Sequence, residues 1–304
     1  MQQTIRIGTR ESQLAVWQAT QVKNILDSKG YTTELVYIKS EGDIDLSTPL
    51  YEMGVTGVFT RSLDIAMLSN RIDIAVHSMK DVPTQLPKGI IQSAAMKRGP
   101  YRDLIVYKNN TDFLEDKNSD GNIATSSVRR IAQWLNRYPK HQVHNLRGNV
   151  NTRLRKLSEE NWNGAIFAQA GLERINLRPE KSIELNWMLP APAQGAIMVV
   201  CRDNEPFITD ACQHLNDYHT QICTKAERDF LRTLMGGCST PISALAEIEN
   251  GRMKFTGNIL STDGKDKAEV SCEVSMDEAA GLGERMAMEI LKTGGQKIVD
   301  GMNK

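Results

Sequence analysis

Residues 4–30 read TIRIGTRESQLAVWQATQVKNILDSKG, and this stretch decides the fold class. Thr4–Gly8 alternates in the two-residue period of a β-strand. From Ser12 to Lys29 the apolar residues recur at helical spacing, and Gly30 closes the run. Between strand and helix stands a short polar turn, Gly8-Thr9-Arg10-Glu11-Ser12. Strand, polar turn and amphipathic helix in that order form the building block of α/β proteins.

The block recurs. Further strands are predicted at Thr33–Ile38, Ile72–Val76, Leu104–Tyr107, Asn122–Ala124, Val143–Leu146, Ala165–Ala168 and Ala196–Cys201. Helices are predicted near Phe59–Ser69, Ser127–Tyr138 (stopped by Pro139) and Asn149–Glu159. Such alternation predicts α/β layers with mainly parallel sheets. Lys97–Arg102 and Pro190–Gly195, rich in turn formers, read as crossings between two such units. After about Thr220 the pattern changes to a long helix over Lys225–Met235, three strand-like runs and a helix near Ala279–Lys292, a small α+β domain. The predicted division is 1–98 plus 196–216, then 99–195, then 217–304. No internal repeat is legible.

Composition excludes several classes. Lys plus Arg equals Asp plus Glu at 37 each, so no net field recruits nucleic acid or an acidic membrane. No apolar run is long enough to span a bilayer and the N-terminus lacks a signal-peptide pattern, so cytoplasmic residence is expected. The five cysteines (Cys201, Cys212, Cys223, Cys238 and Cys272) form no CxxC pair, against both a disulfide framework and a structural zinc site. His141 and His144, spaced in a polar strand, read as surface residues rather than metal ligands; no metal is expected.

The unusual polar clusters share one location. Arg10 and Ser12 follow the first strand; His77-Ser78-Met79-Lys80-Asp81 follows Ile72–Val76. Thr125-Ser126-Ser127-Val128-Arg129-Arg130 follows Asn122–Ala124, and Arg147-Gly148-Asn149 follows Val143–Leu146, with Arg153 a turn later. Ligands of α/β sheets collect beyond the carboxyl ends of the strands, where helix N-termini offer N–H groups and partial positive charge. Arginine forks match carboxylates or phosphates, so the set points to a polyanionic ligand in an interdomain cleft. Asp81 is a carboxylate among these cations. It fits a salt bridge to Lys80 or an arginine, a cap before Val82-Pro83, or a group stabilising positive charge that develops on a ligand. Cys238, in Met235-Gly236-Gly237-Cys238-Ser239-Thr240-Pro241, stands on a turn open to close approach; it fits either thiol chemistry or a small buried hydrophobe.

HSMKDVP (His77–Pro83), ATSSVRR (Ala124–Arg130), NLRGNVNTRLRKL (Asn145–Leu157) and GGCSTPIS (Gly236–Ser243) resemble the signature segments of porphobilinogen deaminases, the hydroxymethylbilane synthases. IGTRESQLAVWQA (Ile7–Ala19), AGLERI (Ala170–Ile175) and LPAPAQGAI (Leu189–Ile197) match as well, and the resemblance is colinear from Thr4 to the C-terminal helix. It implies two lobes like those of type II periplasmic binding proteins, with mixed, mainly parallel sheets, plus the small C-terminal α+β domain. It implies a transferase that joins four porphobilinogen molecules head to tail, releases ammonia, and hydrolyses the product off as hydroxymethylbilane. The primer would be a dipyrromethane cofactor bound as a thioether to Cys238. The carboxylates of cofactor and substrate would be held by Arg10, Arg129, Arg130, Arg147, Arg153 and Arg174, with Ser12, Ser78, Lys80, Thr125, Ser127, Gly148, Ala170 and Gln194. Asp81, hydrogen-bonded to pyrrole N–H groups, would stabilise the cationic intermediates. The expected partner is porphobilinogen alone, with no nucleic acid and no membrane, on a monomer.

Three places depart from the family pattern. Asn151 stands where RGNVGTR would have glycine, Pro192-Ala193 replaces a small residue followed by glycine, and Thr56 occupies a position often lysine in Met53–Thr60, read as a lid. A non-catalytic two-lobed binder of a polycarboxylate is the competing expectation. It explains the arginines but neither Asp81 nor a GGC turn in a third domain. Nucleic-acid binding is opposed by balanced charge and by the lack of aromatics among the arginines.

Overall fold

The computed structural model describes residues 3–39, 60–234 and 240–302. Among these, the chain forms β1 (Ile5–Thr9), α1 (Gln13–Ser28), β2 (Thr33–Tyr37), α2 (Arg61–Leu68), β3 (Ile74–Ser78), β4 (Ile90–Ala95), β5 (Asp103–Tyr107) and β6 (Asn122–Ala124). It continues with α3 (Val128–Arg137), β7 (Gln142–His144), α4 (Val150–Glu159), β8 (Gly164–Ala168), α5 (Gln169–Glu173), β9 (Ser182–Glu184) and β10 (Ile197–Arg202). The remainder comprises α6 (Pro206–Gln213), α7 (Tyr218–Thr233), β11 (Ile242–Glu249), β12 (Arg252–Leu260), β13 (Lys267–Ser275), α8 (Leu282–Ile290) and α9 (Gln296–Met302). The described residues fall into two compact units: 3–39, 60–99 and Gly195–Gln221 in the first, Pro100–Gln194 and 222–302 in the second.

The first unit is built on a mixed sheet in the order β2-β1-β3-β10-β4, with β1 parallel to β2 and β3, and β10 antiparallel to β3 and β4. Helix α1 buries Ala19, Val22 and Leu26, spaced along one stripe, against Ile5, Ile7, Ile74, Val76 and Val199. Each of the valine, leucine and isoleucine side chains contributes about 1.5–3 kcal/mol on burial, and Leu26→Ala would cost about 2–5 kcal/mol.

The second unit holds two sheets. One repeats the first unit's plan in the order β7-β6-β8-β5-β9, with β6 parallel to β7 and β8, and β5 antiparallel to β8 and β9. Both its faces are covered. Leu104, Val106, Ala165 and Phe167 enter one core, and Ile105, Ile123 and Ile166 the other. That is why these strands read as continuous apolar runs. The other sheet, β11-β12-β13, is an antiparallel meander whose Ala244, Ala246, Met253 and Phe255 pack on Phe230 of α7 and Ile290 of α8. This is the small C-terminal α+β domain.

Several boundaries differ from the sequence pattern. Strand β3 runs two residues later than expected, because its ladder to β10 continues through His77↔Met198 and Ser78↔Ile197. Helix α7 begins at Tyr218, seven residues early, where Asp217 Oδ1 accepts the Thr220 N–H at 2.8 Å. The C-terminal helix breaks around Gly294, at φ 113°.

His141 is not a surface residue. It is buried beside Trp134, Tyr138 and Phe113. Trp134 Nε1–H donates to its Nδ1 at 3.1 Å, and its Nε2 lies 3.1 Å from Ser119 Oγ, which itself donates to the Phe113 carbonyl. The ring is therefore the neutral Nε2–H tautomer, since a proton on Nδ1 would face the Trp134 N–H and leave Nε2 facing an oxygen whose proton is already donated. Burial pulls its pKa below the usual 6.5, against the pull of Asp120. The unfolded chain thus takes up this proton first, so the stability it contributes is full above about pH 6.5 and declines as pH falls through and below that value. His141→Gln, which keeps an acceptor that does not titrate, should flatten the fall in Tm between pH 7.5 and 5, followed by tryptophan fluorescence. Equal slopes in both proteins would contradict this assignment.

Candidate functional site

Parallel pairing brings the clusters together at one edge of each sheet. In the first unit, Ile7↔Ile74 and Gly8↔Ala75 set the exits of β1 and β3 side by side. Thr9 is still in the strand, Arg10 follows half-buried, and Ser12 caps α1, its Oγ accepting from the Ala15 N–H at 3.4 Å. His77 and Ser78 are the last residues of β3 rather than residues beyond it. Ser78 Oγ accepts from Gln18 Nε2 at 2.9 Å. A single turn, Met79–Asp81, then buries Met79 and leaves Lys80 and Asp81 half-buried at the edge. Among the described residues the Asp81 carboxylate makes no ion pair, which removes the salt-bridge explanation of its place among cations. His77 is buried, with Nε2 lacking a hydrogen-bond partner; burial first, then the Arg10 charge, pushes its pKa down to about 4. It is therefore a neutral imidazole at physiological pH.

In the second unit β6, β7 and β8 run parallel, so the exits toward Thr125–Arg130, Asn145–Arg153 and Ala168–Arg174 share one edge. Thr125 is buried, its Oγ1 accepting from the Ser127 N–H at 3.3 Å, and Ser127 begins α3 without its hydroxyl capping the helix. Arg147 is buried. Gly148 has φ +111°, and a Cβ there would lie 2.7 Å from Thr152 Cγ2, so the turn into α4 requires glycine. Arg153 Nε donates to the Gly148 carbonyl at 2.7 Å, and Asn149 caps α4 through the Thr152 N–H at 2.9 Å. Asn151 lies exposed in the first turn of α4, a helical position that has no need of glycine. Ala170 is buried in α5; Arg174 ends that helix, and burial draws its guanidinium down to about 10.

Arg129 and Arg130 are both buried, and much of their donor capacity goes to the protein itself. Asp103, fully buried at the start of antiparallel β5 and therefore at the same edge (Asp103↔Ala168), lies between them. Arg129 Nη2 donates to its Oδ2 at 2.7 Å; Arg130 Nη2 and Nε donate to its Oδ1 at 2.7 and 3.2 Å. Arg129 Nη1 reaches the Leu189 carbonyl at 2.7 Å and Arg130 Nη1 the Ile166 carbonyl at 3.0 Å. The two guanidiniums hold the Asp103 carboxyl well below the usual carboxylate range against its own desolvation. Gln194 belongs to this cluster too, its Nε2 donating to Asp103 Oδ1 at 2.8 Å and to the Tyr101 carbonyl at 2.7 Å.

Two acids of this region went unnoticed in the sequence. Asp103 is one; its signal is a carboxylate opening the apolar run DLIVY. The other is buried Glu227, whose carboxylate accepts the backbone N–H groups of Ala193 (2.6 Å) and Ala246 (2.7 Å), tying the segment before Gly195 to β11.

Residues 5–210 match the family model described as porphobilinogen deaminase, dipyromethane cofactor binding domain, and residues 221–292 match the porphobilinogen deaminase C-terminal domain. The porphobilinogen deaminase of Desulforamulus reducens is 38% identical across 99% of this chain and 98% of that protein. The chain belongs to the porphobilinogen deaminase family. The probable porphobilinogen deaminase of Methanocaldococcus jannaschii is 39% identical over 94% of this chain and 99% of its own. Among solved structures, a probable amino-acid ABC transporter extracellular-binding protein from Bacillus subtilis aligns with a TM-score of 0.42 at 12% identity, covering 70% of this chain and 90% of that one.

Cys238 with Gly236 and Gly237, expected to form a turn, and all of the Met53–Thr60 stretch expected as a lid except Thr60 lie outside the described residues. The four described cysteines are free thiols, three of them buried. Burial raises the Cys201 and Cys272 thiols and pushes Cys212 up to about 12, so these three are poor nucleophiles.

Ala193, at a position where the family pattern read from the sequence would place glycine, is fully buried at φ +62°. A left-handed conformation costs a residue with a Cβ about 1–2 kcal/mol, partly offset by the roughly 0.5–1 kcal/mol that glycine loses in chain entropy. Ala193→Gly should therefore raise stability by up to about 1 kcal/mol, whereas Ala193→Val should lower it by about 2 kcal/mol or more. Thermal unfolding of the three proteins checks the order; a glycine variant less stable than the parent would contradict it.

Proposed function

We propose that this chain is a transferase that condenses porphobilinogen, with loss of ammonia, into a linear tetrapyrrole released as hydroxymethylbilane. Family membership supports the reaction. The observation that carries the chemistry is Asp81: a half-buried carboxylate with no ion-pair partner among the described residues, at the sheet edge that also presents Arg10 and Lys80. Porphobilinogen bears two carboxylates and an aminomethyl group. Loss of ammonia breaks the C–N bond and leaves a cation, and attack by the next pyrrole's free α-carbon makes the new C–C bond and then sheds a proton. A fixed carboxylate stabilises that positive charge without reorganising, and Asp81 fills this role by accepting pyrrole N–H bonds.

The donor set suits a dipyrromethane. Its acetate and propionate groups call for guanidinium forks and small donors, which Arg147, Arg153, Arg174 and the Ser127 hydroxyl supply, with backbone N–H groups near Gly148 and Ala170. Arg10, Ser12, Ser78 and Lys80 serve the same purpose in the first unit. Arg129 and Arg130, holding one carboxylate between two cations, retain one positive charge for a ligand. The cofactor, joined to Cys238 by a thioether, supplies the pyrrole α-carbon to which the first ring is added. We further place the enzyme in the cytoplasm as a monomer, organised as two lobes and a cofactor-bearing C-terminal domain.

Asp81→Asn keeps size and removes charge. With porphobilinogen as substrate, ammonia release and tetrapyrrole formation should fall by about a hundredfold or more while the circular dichroism stays unchanged. Near-normal turnover would remove Asp81 from the chemistry, and a wild-type protein that binds porphobilinogen without releasing ammonia would replace the enzyme with a passive binder.

A further inference from the structure

Two buried guanidiniums facing each other repel, and each needs its planar fork aimed to be of use to a ligand. In the second unit one side chain answers both needs. The Asp103 carboxylate lies between Arg129 and Arg130 and takes one oxygen to each, Oδ2 to Arg129 and Oδ1 to Arg130, while the Leu189 and Ile166 carbonyls hold the opposite corners of the two forks. The formal charge of the buried trio is +1 rather than +2. The same Oδ1 accepts from Gln194, whose amide also bonds the Tyr101 carbonyl, so the segments before Asp103 and before Gly195 are fixed to this carboxylate.

We propose that Asp103 is a positioning residue: it sets the planes of both guanidiniums and cancels one of their charges, so that the pair presents a single positive charge to a ligand carboxylate at the edge of the sheet. This rests on the reading that Arg129 and Arg130 face ligand carboxylates. A single residual charge grips one carboxylate and still lets it go, which a site passing successive rings of a growing chain requires. Two uncancelled charges would hold an anion far more tightly.

The sign of one substitution separates this role from a merely structural one. A structural ion pair, once broken, loosens the site and weakens anion binding. Cancellation of one charge predicts the reverse for Asp103→Asn, which keeps the size and one acceptor oxygen for an arginine and raises the local charge to +2. With succinate as probe, measured by calorimetry on the full chain in low salt, Asp103→Asn should bind about tenfold or more tightly than wild type. The difference should shrink at high ionic strength. Asp103→Glu, which restores the charge, should bring affinity back toward the wild-type value. If Asp103→Asn is unfolded in buffer, succinate should refold it at concentrations where sodium chloride of equal ionic strength does not. Unchanged or weaker succinate binding, or refolding by chloride and succinate alike, would overturn the proposal. The deaminase reading stands or falls separately, on whether wild type releases ammonia from porphobilinogen.

Discussion

Burying a carboxylate costs several kcal/mol, and burying a guanidinium costs a comparable amount, so a cluster of Asp103 with Arg129 and Arg130 persists only where every member is paired and hydrogen-bonded. Its geometry meets that condition through side-chain bonds within the trio, two backbone carbonyls and the Gln194 amide. Removing any one charge would leave the others uncompensated, at about 3–5 kcal/mol. Much of the second unit is arranged around this constraint. Strand β5 must begin at the edge where β8 ends, α3 must begin close enough for its first turn to reach Asp103, and the segment from Leu189 to Gln194 must pass alongside. Gln133 adds to that passage by donating to the Leu189 carbonyl and accepting its N–H.

The same edge logic operates in both units because both sheets share one strand order. Parallel strands deliver their carboxyl ends together, and the antiparallel strand in each sheet (β10 in one, β5 in the other) starts where its neighbours finish. Hydroxyls, backbone N–H groups and arginines are thereby concentrated without any one segment carrying the whole set. The first unit holds Asp81, a carboxylate with no ion pair among the described residues, and the neutral imidazole of His77; Arg129, Arg130, Arg147, Arg153 and Arg174 lie in the second.

Periodicity made the main strands and helices legible, since buried parallel strands and amphipathic helices leave strong patterns. It failed where polarity interrupts a strand. Strand β4 (IIQSAA) was not expected, because Gln92 and Ser93 break its apolar run; the ladder to β10 shifts register between Val199 and Val200, and Ser93 Oγ donates to the Val199 carbonyl. Helix α6 and the short edge strand β9 leave equally little trace. The common strand order of the two sheets is invisible in sequence, because topology is conserved by packing and not by residue identity. The strand-end position of the arginines could be read from the pattern. Which of them already hold an internal anion could not, because Asp103 is 26 residues from Arg129 in sequence and meets it only through the β5–β8 ladder. Likewise nothing in the sequence of α7 announces that Glu227 receives two backbone N–H groups from distant segments.

Whether this fold works on a covalently anchored primer is read from the intact mass of the purified protein. The account predicts a mass above that of the sequence by one dipyrromethane, located by peptide mapping on the segment containing Cys238 and resistant to reducing agents, as a thioether is. Cys201, Cys212, Cys223 and Cys272 should remain unmodified, and incubation with porphobilinogen should add further single-ring increments. A protein that runs at its bare sequence mass, and still does so after incubation with porphobilinogen, would contradict the account.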